Sequence, residues 1–207
     1  MSEFPPSFFD RADETDDLDF YDQPRLVTHI DDGAIAAVGA LYGELGLDGR
    51  VLDLMSSWVS HFERAPDHLT VLGLNEAELA ANPQAAERVV QDLNSDPVLP
   101  FADRSFDAAT CCVSIDYLTR PVEVLVEVAR VLRPGGPVVI TYSDRCFPTK
   151  TIRGWLATDD ETHGEIVRAY VRLAGGFDPA DVTLRTPVRH RGDPLWAVVA
   201  RRSAVSP

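Results

Sequence analysis

The sequence is short of positive charge. Its 207 residues include 19 lysines and arginines against 33 aspartates and glutamates, which gives a formal net charge of −14 at pH 7. Such an acidic chain repels a phosphate backbone, so we expect no nucleic acid partner. No run of eighteen apolar residues is present, and the N-terminal stretch has neither the basic nor the apolar region of a signal peptide. The sequence therefore predicts a soluble, cytoplasmic protein with no membrane partner.

Cysteines and metal-ligand patterns are also scarce. The three cysteines, Cys111, Cys112 and Cys146, cannot make an even disulfide framework, and two of them are adjacent in an apolar run. We therefore expect reduced thiols, with packing roles for the adjacent pair. The five histidines show no metal-ligand spacing, so we predict that the protein has no metal site. They stand at positions 29, 61, 68, 163 and 190.

Short apolar runs alternate regularly with longer helical stretches. Residues 77–86 and 121–132 carry apolar side chains at helical spacing, and the second stretch opens with Pro121. Runs of β-branched or apolar residues bounded by turn residues predict strands at 50–54, 69–74, 87–91, 106–114, 136–143 and 195–202. This alternation predicts an α/β fold with a mostly parallel sheet and helices on both faces.

The length favours one domain with an N-terminal arm. We place the arm at residues 1–47 and the domain at residues 48–207. Within the arm, residues 10–22 hold seven acids and one arginine, a composition typical of a solvated or partly disordered segment. The rest of the arm continues as a helix whose apolar face carries Ile35, Val38, Tyr42 and Leu45.

The predicted sheet also indicates where a ligand would bind. In an open parallel sheet, ligands lie outside the carboxyl ends of the strands, at the point where the strand order reverses. The residues at those ends and in the turns after them are 53–58, 75–76, 92–93, 114–117 and 143–146. This set contains no lysine and one arginine, and its first turn has no glycine. A polyphosphate ligand is therefore not expected.

Four stretches carry a resemblance to a known family. They are VLDL at 51–54, VLGLN at 71–75, VVQDLNSDPVLPFADRSFDAATCCVSIDYL at 89–118 and EVLVEVARVLRPGGPVVITYS at 123–143. Together they make the chain resemble the Rossmann-like, class I methyltransferases that use S-adenosylmethionine. The nearest group is the small-molecule branch that contains the ubiquinone and menaquinone biosynthesis enzymes. The resemblance covers residues 49–202 and implies a seven-stranded sheet, S-adenosylmethionine as cofactor and a small-molecule methyl acceptor.

The first family motif is altered in this chain. The family has an acid followed by three alternating glycines; Asp53 matches the acid, while Met55, Ser57 and Val59 occupy the glycine places. Glycine adopts backbone conformations there that cost other residues about 1 kcal/mol or more, so we expect a turn of different shape. In the family's terms, Asp53 would meet the ammonium group of the cofactor, directly or through water.

Residues next to the altered glycine places can supply contacts to the cofactor. Ser56 and Ser57 offer hydroxyls to the cofactor's carboxylate, and Trp58 offers a wall for the pocket. After the second strand the family has an acid that binds the ribose hydroxyls. This chain has Asn75 there, followed by Glu76, and a neutral amide binds hydroxyls without charge assistance.

The third motif is intact. Asp92 matches the acid that accepts a hydrogen bond from the adenine amino group, and the N–H of Leu93 is placed to meet a ring nitrogen. Ser114, at the end of the fourth strand, belongs to the same predicted cofactor site. With both acids retained, the resemblance implies that cofactor binding is kept.

Methyl transfer requires an acceptor atom held close to the methyl group and, for a weak acceptor, a base that takes its proton. The candidate bases are His29, Tyr21 and His61. His29 and Tyr21 lie in the arm, which in the family folds over the cofactor, so the arm is predicted to be a lid. The alternative is that its helix only caps the sheet. Arg145, in the loop after the fifth strand, could pair with a carboxylate of the acceptor or anchor its loop to nearby acids.

Two functions remain compatible with these residues. The first is methyl transfer from S-adenosylmethionine to a small-molecule acceptor. The second is a non-catalytic or ligand-sensing domain of the same fold that acts through a protein partner, because fold does not fix function.

Overall fold

A computed structural model describes residues 3–187 and 191–204 and contains a seven-stranded sheet. The strands in chain order are β1 Arg50–Leu54, β2 His68–Gly73, β3 Glu87–Val90, β4 Ala108–Cys112, β5 Pro137–Tyr142, β6 Asp181–Leu184 and β7 Trp196–Arg201. Across the sheet their order is β3-β2-β1-β4-β5-β7-β6. The first five strands are parallel, and β7 runs antiparallel between β5 and β6. The predicted α/β fold with a mostly parallel sheet is confirmed.

Helices cover both faces of the sheet. They are α1 Asp17–Phe20, α2 Asp32–Glu44, α3 Glu76–Ala81, α4 Pro121–Val131, α5 Arg153–Leu156 and α6 Asp160–Ala174, with a single 3₁₀ turn at Ile115–Tyr117. On one face, α4 and α6 pack onto the core through side chains such as Val128 and Val167. On the other face, α2 and α3 pack through side chains such as Val38 and Leu79. Apolar burial on both faces explains why the central strands are continuous apolar runs.

The arm's helix α2 is part of the core. Ala34, Val38, Leu41 and Tyr42 are buried against the sheet, whereas Ile35 is only partly buried. Asp31 is the N-cap of this helix, and its side chain accepts a hydrogen bond from the N–H of Ala34. Packing of α2 fixes the position of the segment that precedes it.

The strand order reverses between β1 and β4. Strand β1 pairs in parallel with β2 on one side and with β4 on the other. From β1, the chain proceeds outward through β2 to β3, and then returns to the other side of β1 at β4. The turns after β1 and β4 therefore diverge at their carboxyl ends and leave a crevice there. This edge is the one at which the sequence predicts the site.

Several elements differ from the sequence-based prediction, which gives no helix at α1, α5 or α6 and no strand at β6. The sequence pattern does not indicate β6, because its residues alternate between exposed and partly buried positions at the sheet edge and include a charged residue, Asp181. Helix α3 stops at Ala81 rather than continuing to residue 86, because Asn82 adopts an extended conformation before Pro83.

The acidic segment 10–22 is mostly exposed, as its composition predicts, but its centre is buried and ordered by charge pairing. Asp17 is buried, with 5% of its surface exposed, and accepts two hydrogen bonds of 2.8 Å from Arg11. The chain's single lysine, Lys150, lies against the same carboxylate. Charge pairing therefore holds in place a segment whose composition predicts solvation.

No helix among the described residues is long and apolar enough to cross a membrane. In the same described ranges, no group of three or more histidine, cysteine, aspartate and glutamate side chains could hold a metal ion, and His190 lies outside them.

Candidate functional site

A cavity of about 460 Å³ opens at the carboxyl edge of the sheet, between the strand ends and the N-terminal segment. We call it the main cavity. Its lining combines the turns after β1 to β5 with the segment that leads into α2. The lining residues are Asp17, Tyr21, Arg25, His29, Met55, Ser56, Ser57, Gly73, Leu74, Asn75, Glu78, Gln91, Asp92, Leu93, Asn94, Val113, Ser114, Tyr117, Leu118, Asp144, Arg145, Cys146, Phe147 and Pro148.

The turn after β1 keeps a glycine-like conformation at its first glycine place. Met55 has φ of 52°, in the left-handed region that glycine favours, whereas Ser57 and Val59 are not in that region. The turn crosses the end of β2 closely: the Ser56 N–H donates to the Leu72 carbonyl over 2.8 Å. A side chain at Gly73 would lie only 2.2 Å from the Ser56 carbonyl oxygen. The backbone at position 55 therefore keeps the conformation of the family's glycine, and the expected change in the shape of the turn does not occur there. For a methionine, this left-handed conformation costs about 1 kcal/mol or more.

Asp53 is buried inside the fold rather than in the wall of the main cavity. Its carboxylate accepts hydrogen bonds of 2.7 Å from Thr110 on β4 and from the Ser56 hydroxyl, and 3% of the residue is exposed. Burial raises the pKa of Asp53 and outweighs the lowering by its hydroxyl partners. Asp53 therefore holds the turn after β1 to the neighbouring strand through Ser56 and Thr110.

Trp58 and His61 lie at a second, smaller cavity of about 80 Å³, which Asp53 also lines. The Trp58 indole N–H donates to the Val27 carbonyl over 3.1 Å, so the turn after β1 supports the segment before α2. His61 lines only this side cavity and has φ of 57°. Burial lowers its pKa. Of the three candidate bases, His61 is the one outside the main cavity.

Asn75 lines the main cavity, but its amide is already engaged. Its side-chain oxygen accepts from the Glu78 N–H and starts helix α3. Its side-chain nitrogen donates to the carbonyls of Tyr21 and Asp22 over 2.8 and 3.0 Å. Asn75 therefore ties the N-terminal segment to the end of β2.

Glu78 is a cavity residue that the sequence analysis missed. Only 9% of it is exposed, and its carboxylate accepts from the Ser57 hydroxyl over 2.5 Å and from the Arg25 N–H over 2.6 Å. Within the described residues, no lysine, arginine or histidine forms an ion pair with it. In the sequence, Asn75 followed by Glu78 three residues later is a capping-box pattern. This pattern predicts a structural role for Glu78 at the start of a helix and gives no indication that it lines a cavity. A carboxylate has about four acceptor positions, so Glu78 can accept further hydrogen bonds from a ligand.

Asp92, Leu93 and Ser114 also line the main cavity. One Asp92 oxygen accepts from the Asn94 N–H over 2.8 Å, and in the described part of the chain the other accepts no hydrogen bond. Among the same residues, the N–H of the buried Leu93 donates to no protein oxygen. The Ser114 hydroxyl donates to the Cys112 carbonyl over 2.9 Å. At the end of β3, a carboxylate oxygen of Asp92 and the N–H of Leu93 are thus both available to a ligand.

Five side chains form an aromatic cover over the cavity: Phe20, Tyr21, Arg25, His29 and Phe147. The Arg25 guanidinium lies 4.7 Å from the Phe20 ring centre and 5.5 Å from that of Phe147. The His29 ring packs edge-on against Phe147 at 5.2 Å. Cation–π and edge-to-face contacts of this kind hold the cover together without filling the cavity.

The two candidate bases in the cover differ in their protonation. Burial raises the pKa of Tyr21 above its ordinary value of 10, so its phenol keeps its proton at neutral pH. Partial desolvation lowers the pKa of His29 below 6.5, even though much of its surface is exposed. His29 is therefore neutral at pH 7 and able to accept a proton, whereas Tyr21 keeps its own proton and can act as a hydrogen-bond donor but not as a base.

Arg145 lies in the loop after β5 and lines the main cavity. Its side chain is 61% exposed, and its nearest acid is Asp193, with 4.0 Å between Nε and Oδ1. This distance is at the outer limit of an ion pair, so the contact contributes little to anchoring. Cys146, beside it, is partly buried, and burial raises the pKa of its thiol. A raised pKa argues against a nucleophilic role for this cysteine.

A buried ion cluster fastens the N-terminal segment beside the cavity. Lys150 is fully buried, with its Nζ 3.1 Å from Asp17 and 2.6 Å from the Thr15 carbonyl oxygen. Asn94 donates to Asp17 over 2.9 Å, which links the cluster to the turn after β3. These contacts fix α1 and the residues that follow it, and therefore the cover.

Comparisons with known proteins show what part of the chain is similar to a known family. The family model described as "Methyltransferase domain" matches residues 54–140. The ubiquinone/menaquinone biosynthesis C-methyltransferase UbiE of Roseobacter denitrificans is 42% identical over 79 residues, which are 35% of this chain and 32% of that protein. The chain thus spans about a third of the length of the curated relatives it matches.

Solved structures show the fold. The [4+2]-cyclase SpnF aligns with a TM-score of 0.60 at 17% identity, over 90% of this chain and 92% of that one. An S-adenosylmethionine dependent methyltransferase from Mesorhizobium loti aligns with a TM-score of 0.53 at 19% identity, over 79% and 96% of the two chains. Residues 54–140 therefore match a methyltransferase domain and resemble part of the ubiquinone and menaquinone biosynthesis C-methyltransferases, in a chain that shares the fold of these solved structures.

Proposed function

We propose that the protein transfers a methyl group from S-adenosylmethionine to a small-molecule acceptor in the main cavity. Two carboxylates at the ends of neighbouring strands carry this proposal. Glu78, after β2, and Asp92, after β3, line the same cavity, and both have acceptor positions to spare. An adenosine ligand presents two ribose hydroxyls and one amino group, which are donors that such a pair can bind.

The cavity also fits the cofactor in size and polarity. A volume of about 460 Å³ lies within the range of small-molecule sites. We assign the ribose hydroxyls to Glu78 rather than to Asn75, because the Asn75 amide already binds the N-terminal segment. We assign the adenine amino group to Asp92 and a ring nitrogen to the Leu93 N–H. Ser56 and Ser57 face the part of the cavity nearest β1, where the cofactor's amino acid group would lie.

The bound cofactor supplies a methyl group on a positively charged sulfur. The protein's contribution is to hold the acceptor in line with that group, exclude water and remove a proton where the acceptor is a weak nucleophile. We propose that residues 17–29 act as the lid, with the aromatic cover excluding water. His29 is the proposed base and Tyr21 a hydrogen-bond donor to the acceptor. A cytoplasmic location also remains a proposal; free cysteines, including the partly buried Cys112 and Cys146, support it.

Calorimetric titration with S-adenosylmethionine and S-adenosylhomocysteine tests the proposed function. We expect both to bind near micromolar strength. Replacing Glu78 by glutamine, or Asp92 by alanine, should weaken binding by about 1 to 3 kcal/mol, or roughly 5- to 150-fold, because each change removes a charged acceptor. Glu76→Gln is the matched control: Glu76 is exposed on the same helix, outside the cavity lining, and this variant should bind normally.

Absence of binding by both compounds would reject the enzyme and favour the non-catalytic alternative. Normal binding by both site variants would reject the assigned pose while leaving the cofactor in place. The two results are separable because the first concerns the unmodified protein.

Glycine substitutions at Met55 and Ser57, in the turn after β1, should have different effects on cofactor affinity. Met55→Gly relieves a left-handed backbone conformation, so we expect cofactor affinity to be kept or raised. Ser57→Gly removes the hydroxyl that orients Glu78, so we expect affinity to fall about three- to tenfold. Isothermal titration of the two single variants measures both effects. Equal losses in the two variants would contradict this division of roles.

A further inference from the structure

Three basic side chains meet at one part of the main cavity, in a protein whose net charge is strongly negative. Arg25, His29 and Arg145 all line it. Burial is the main cause that lowers the pKa of His29, the nearby Glu78 carboxylate raises it, and the positive charges of Arg25 and Arg145 lower it further, so both guanidinium groups lie near this neutral imidazole. The two guanidinium charges repel each other, and an anion bound between them would relieve that repulsion.

Neither arginine is neutralised by a close carboxylate. The terminal nitrogens of Arg145 donate no hydrogen bond within the described residues, and the acid that its Nε approaches, Asp193, already accepts from the Asp31 N–H. By contrast, Arg130 on α4 makes ion pairs of 2.7 and 2.8 Å with Glu127 and Asp103. Arg145 is therefore available to an incoming ligand.

Arg25 is also incompletely used. Its Nη2 donates to the Phe20 carbonyl over 2.9 Å, but its buried Nη1 has no hydrogen-bond partner in the described part of the chain. Among the described residues, no acid forms an ion pair with its guanidinium, and Glu78 binds its backbone N–H instead. A buried donor without an acceptor is destabilising, and a bound anion would supply the missing acceptor.

The walls beside these cations are aromatic. Phe147 lies 6.0 Å from Tyr117 and 6.4 Å from Tyr21, measured between ring centres, and all three line the cavity. Flat apolar walls next to a guanidinium suit a planar ring with a charged substituent. Four acids, Asp17, Glu78, Asp92 and Asp144, also line the cavity; Asp17 pairs with Arg11 and Lys150, and within the described residues none of the four forms an ion pair with Arg25 or Arg145.

We propose that the methyl acceptor is a planar aromatic molecule with a carboxylate, bound by Arg145 and Arg25 while its ring lies against Phe147 and Tyr117. This inference rests on the proposed function, whose acceptor it specifies. The two arginines would select the acceptor by binding its carboxylate, and this contact would position the acceptor beside His29.

The cofactor's own carboxylate is the other anion that the arginines could bind. Two ligands separate the cases: S-adenosylhomocysteine has this carboxylate, whereas 5′-methylthioadenosine lacks it. If the arginines hold the acceptor, Arg145→Gln and Arg25→Gln should each change the affinity for S-adenosylhomocysteine by less than about threefold. A loss of tenfold or more for S-adenosylhomocysteine, with 5′-methylthioadenosine unaffected, would assign them to the cofactor and overturn the proposal.

Charge-matched probes test the acceptor site directly. Benzoate with benzamide, and trans-cinnamate with cinnamamide, should be titrated into the protein saturated with S-adenosylhomocysteine and followed by NMR. We expect at least one carboxylate to bind about tenfold or more tightly than its amide, and Arg145→Gln together with Arg25→Gln to remove that preference. Arg153→Gln is the control, because Arg153 is exposed and does not line the cavity; it should keep the preference.

Equal binding of acid and amide in both pairs would overturn the proposal, as would a preference that survives in the double variant. Failure of the proposed function gives a different result. In that case S-adenosylhomocysteine itself does not bind, which the calorimetric titration detects before any probe is added.

Discussion

Replacement of His29 by glutamine should lower kcat by at least about a hundredfold, the usual contribution of a positioned base. His29 lines the cavity, packs against Phe147 and is neutral at pH 7 because its pKa lies below 6.5. Glutamine keeps a polar side chain of similar reach but cannot take the proton. The affinity for S-adenosylhomocysteine should change by less than about threefold, since the imidazole acts on the acceptor. Release of S-adenosylhomocysteine on turnover of the acceptor measures the rate.

The pH profile gives an independent check on His29. Only the neutral imidazole accepts a proton, so kcat/KM should be constant near pH 7 and fall as the pH drops through the lowered pKa of His29, below 6.5. His29→Gln should remove this acid limb. His68→Gln is the control, because His68 lies at the start of β2, outside the cavity lining, and pairs weakly with Glu87 at 3.5 Å. Full turnover in His29→Gln would move the search for a base to His61 or to the 143–150 loop.

Replacement of Lys150 by methionine should lower the free energy of unfolding by about 3 to 5 kcal/mol, because it leaves the buried Asp17 without one of its two cationic partners. Lys150 is fully buried, and its Nζ lies 3.1 Å from Asp17 and 3.5 Å from Asp13. Methionine fills similar volume, so the loss reports charge pairing rather than a cavity. Denaturant unfolding measures it.

Arg153→Met is the matched control for that substitution. Arg153 pairs with Asp10 at 3.8 Å, but both side chains are more than half exposed, at 64% and 51%. Exposed pairs of this kind contribute about 0 to 1 kcal/mol. A Lys150→Met protein no less stable than Arg153→Met would show that the buried cluster does not hold the N-terminal segment. The Lys150 variant should also bind S-adenosylhomocysteine more weakly, because α1 and the cover lose their anchor.

Stability of the cluster should depend on pH through Asp17. Burial by itself would raise the pKa of Asp17, but hydrogen bonds from Arg11, Asn94 and Lys150 outweigh it and lower the pKa below 3.8. A carboxyl whose pKa is lower in the folded state stabilises the fold above its unfolded pKa, and that contribution is lost as the pH falls through the folded pKa. The free energy of unfolding of the native protein should therefore fall as the pH drops below about 4. This fall should be smaller in Asp17→Asn, which has no titrating carboxyl at this position.

Local sequence patterns determined most of the sheet. Strands β1, β2, β4, β5 and β7 are buried on both faces, which makes each a continuous apolar run between turn residues. Strand β6 could not be found in this way, because it is a half-exposed edge strand of four residues without such a run. Because parallel strand ends meet at one edge, the sequence also indicates where the main cavity opens, with Asp92, Leu93 and Ser114 in its lining.

Only the tertiary structure decided what each polar group in the site is free to do. Asn75 stands where the resemblance implies a ribose contact, but carbonyls 54 and 53 residues away occupy its amide. Glu78 has the spacing of a helix cap, yet Ser57 and the Arg25 backbone turn it towards the cavity. The composition of segment 10–22 predicts solvation, whereas Lys150, 135 residues from Thr15, buries its centre. Hydrophobic periodicity depends on neighbours in the chain and can be read along it, but hydrogen-bond and charge pairing depend on distant residues that only folding brings together.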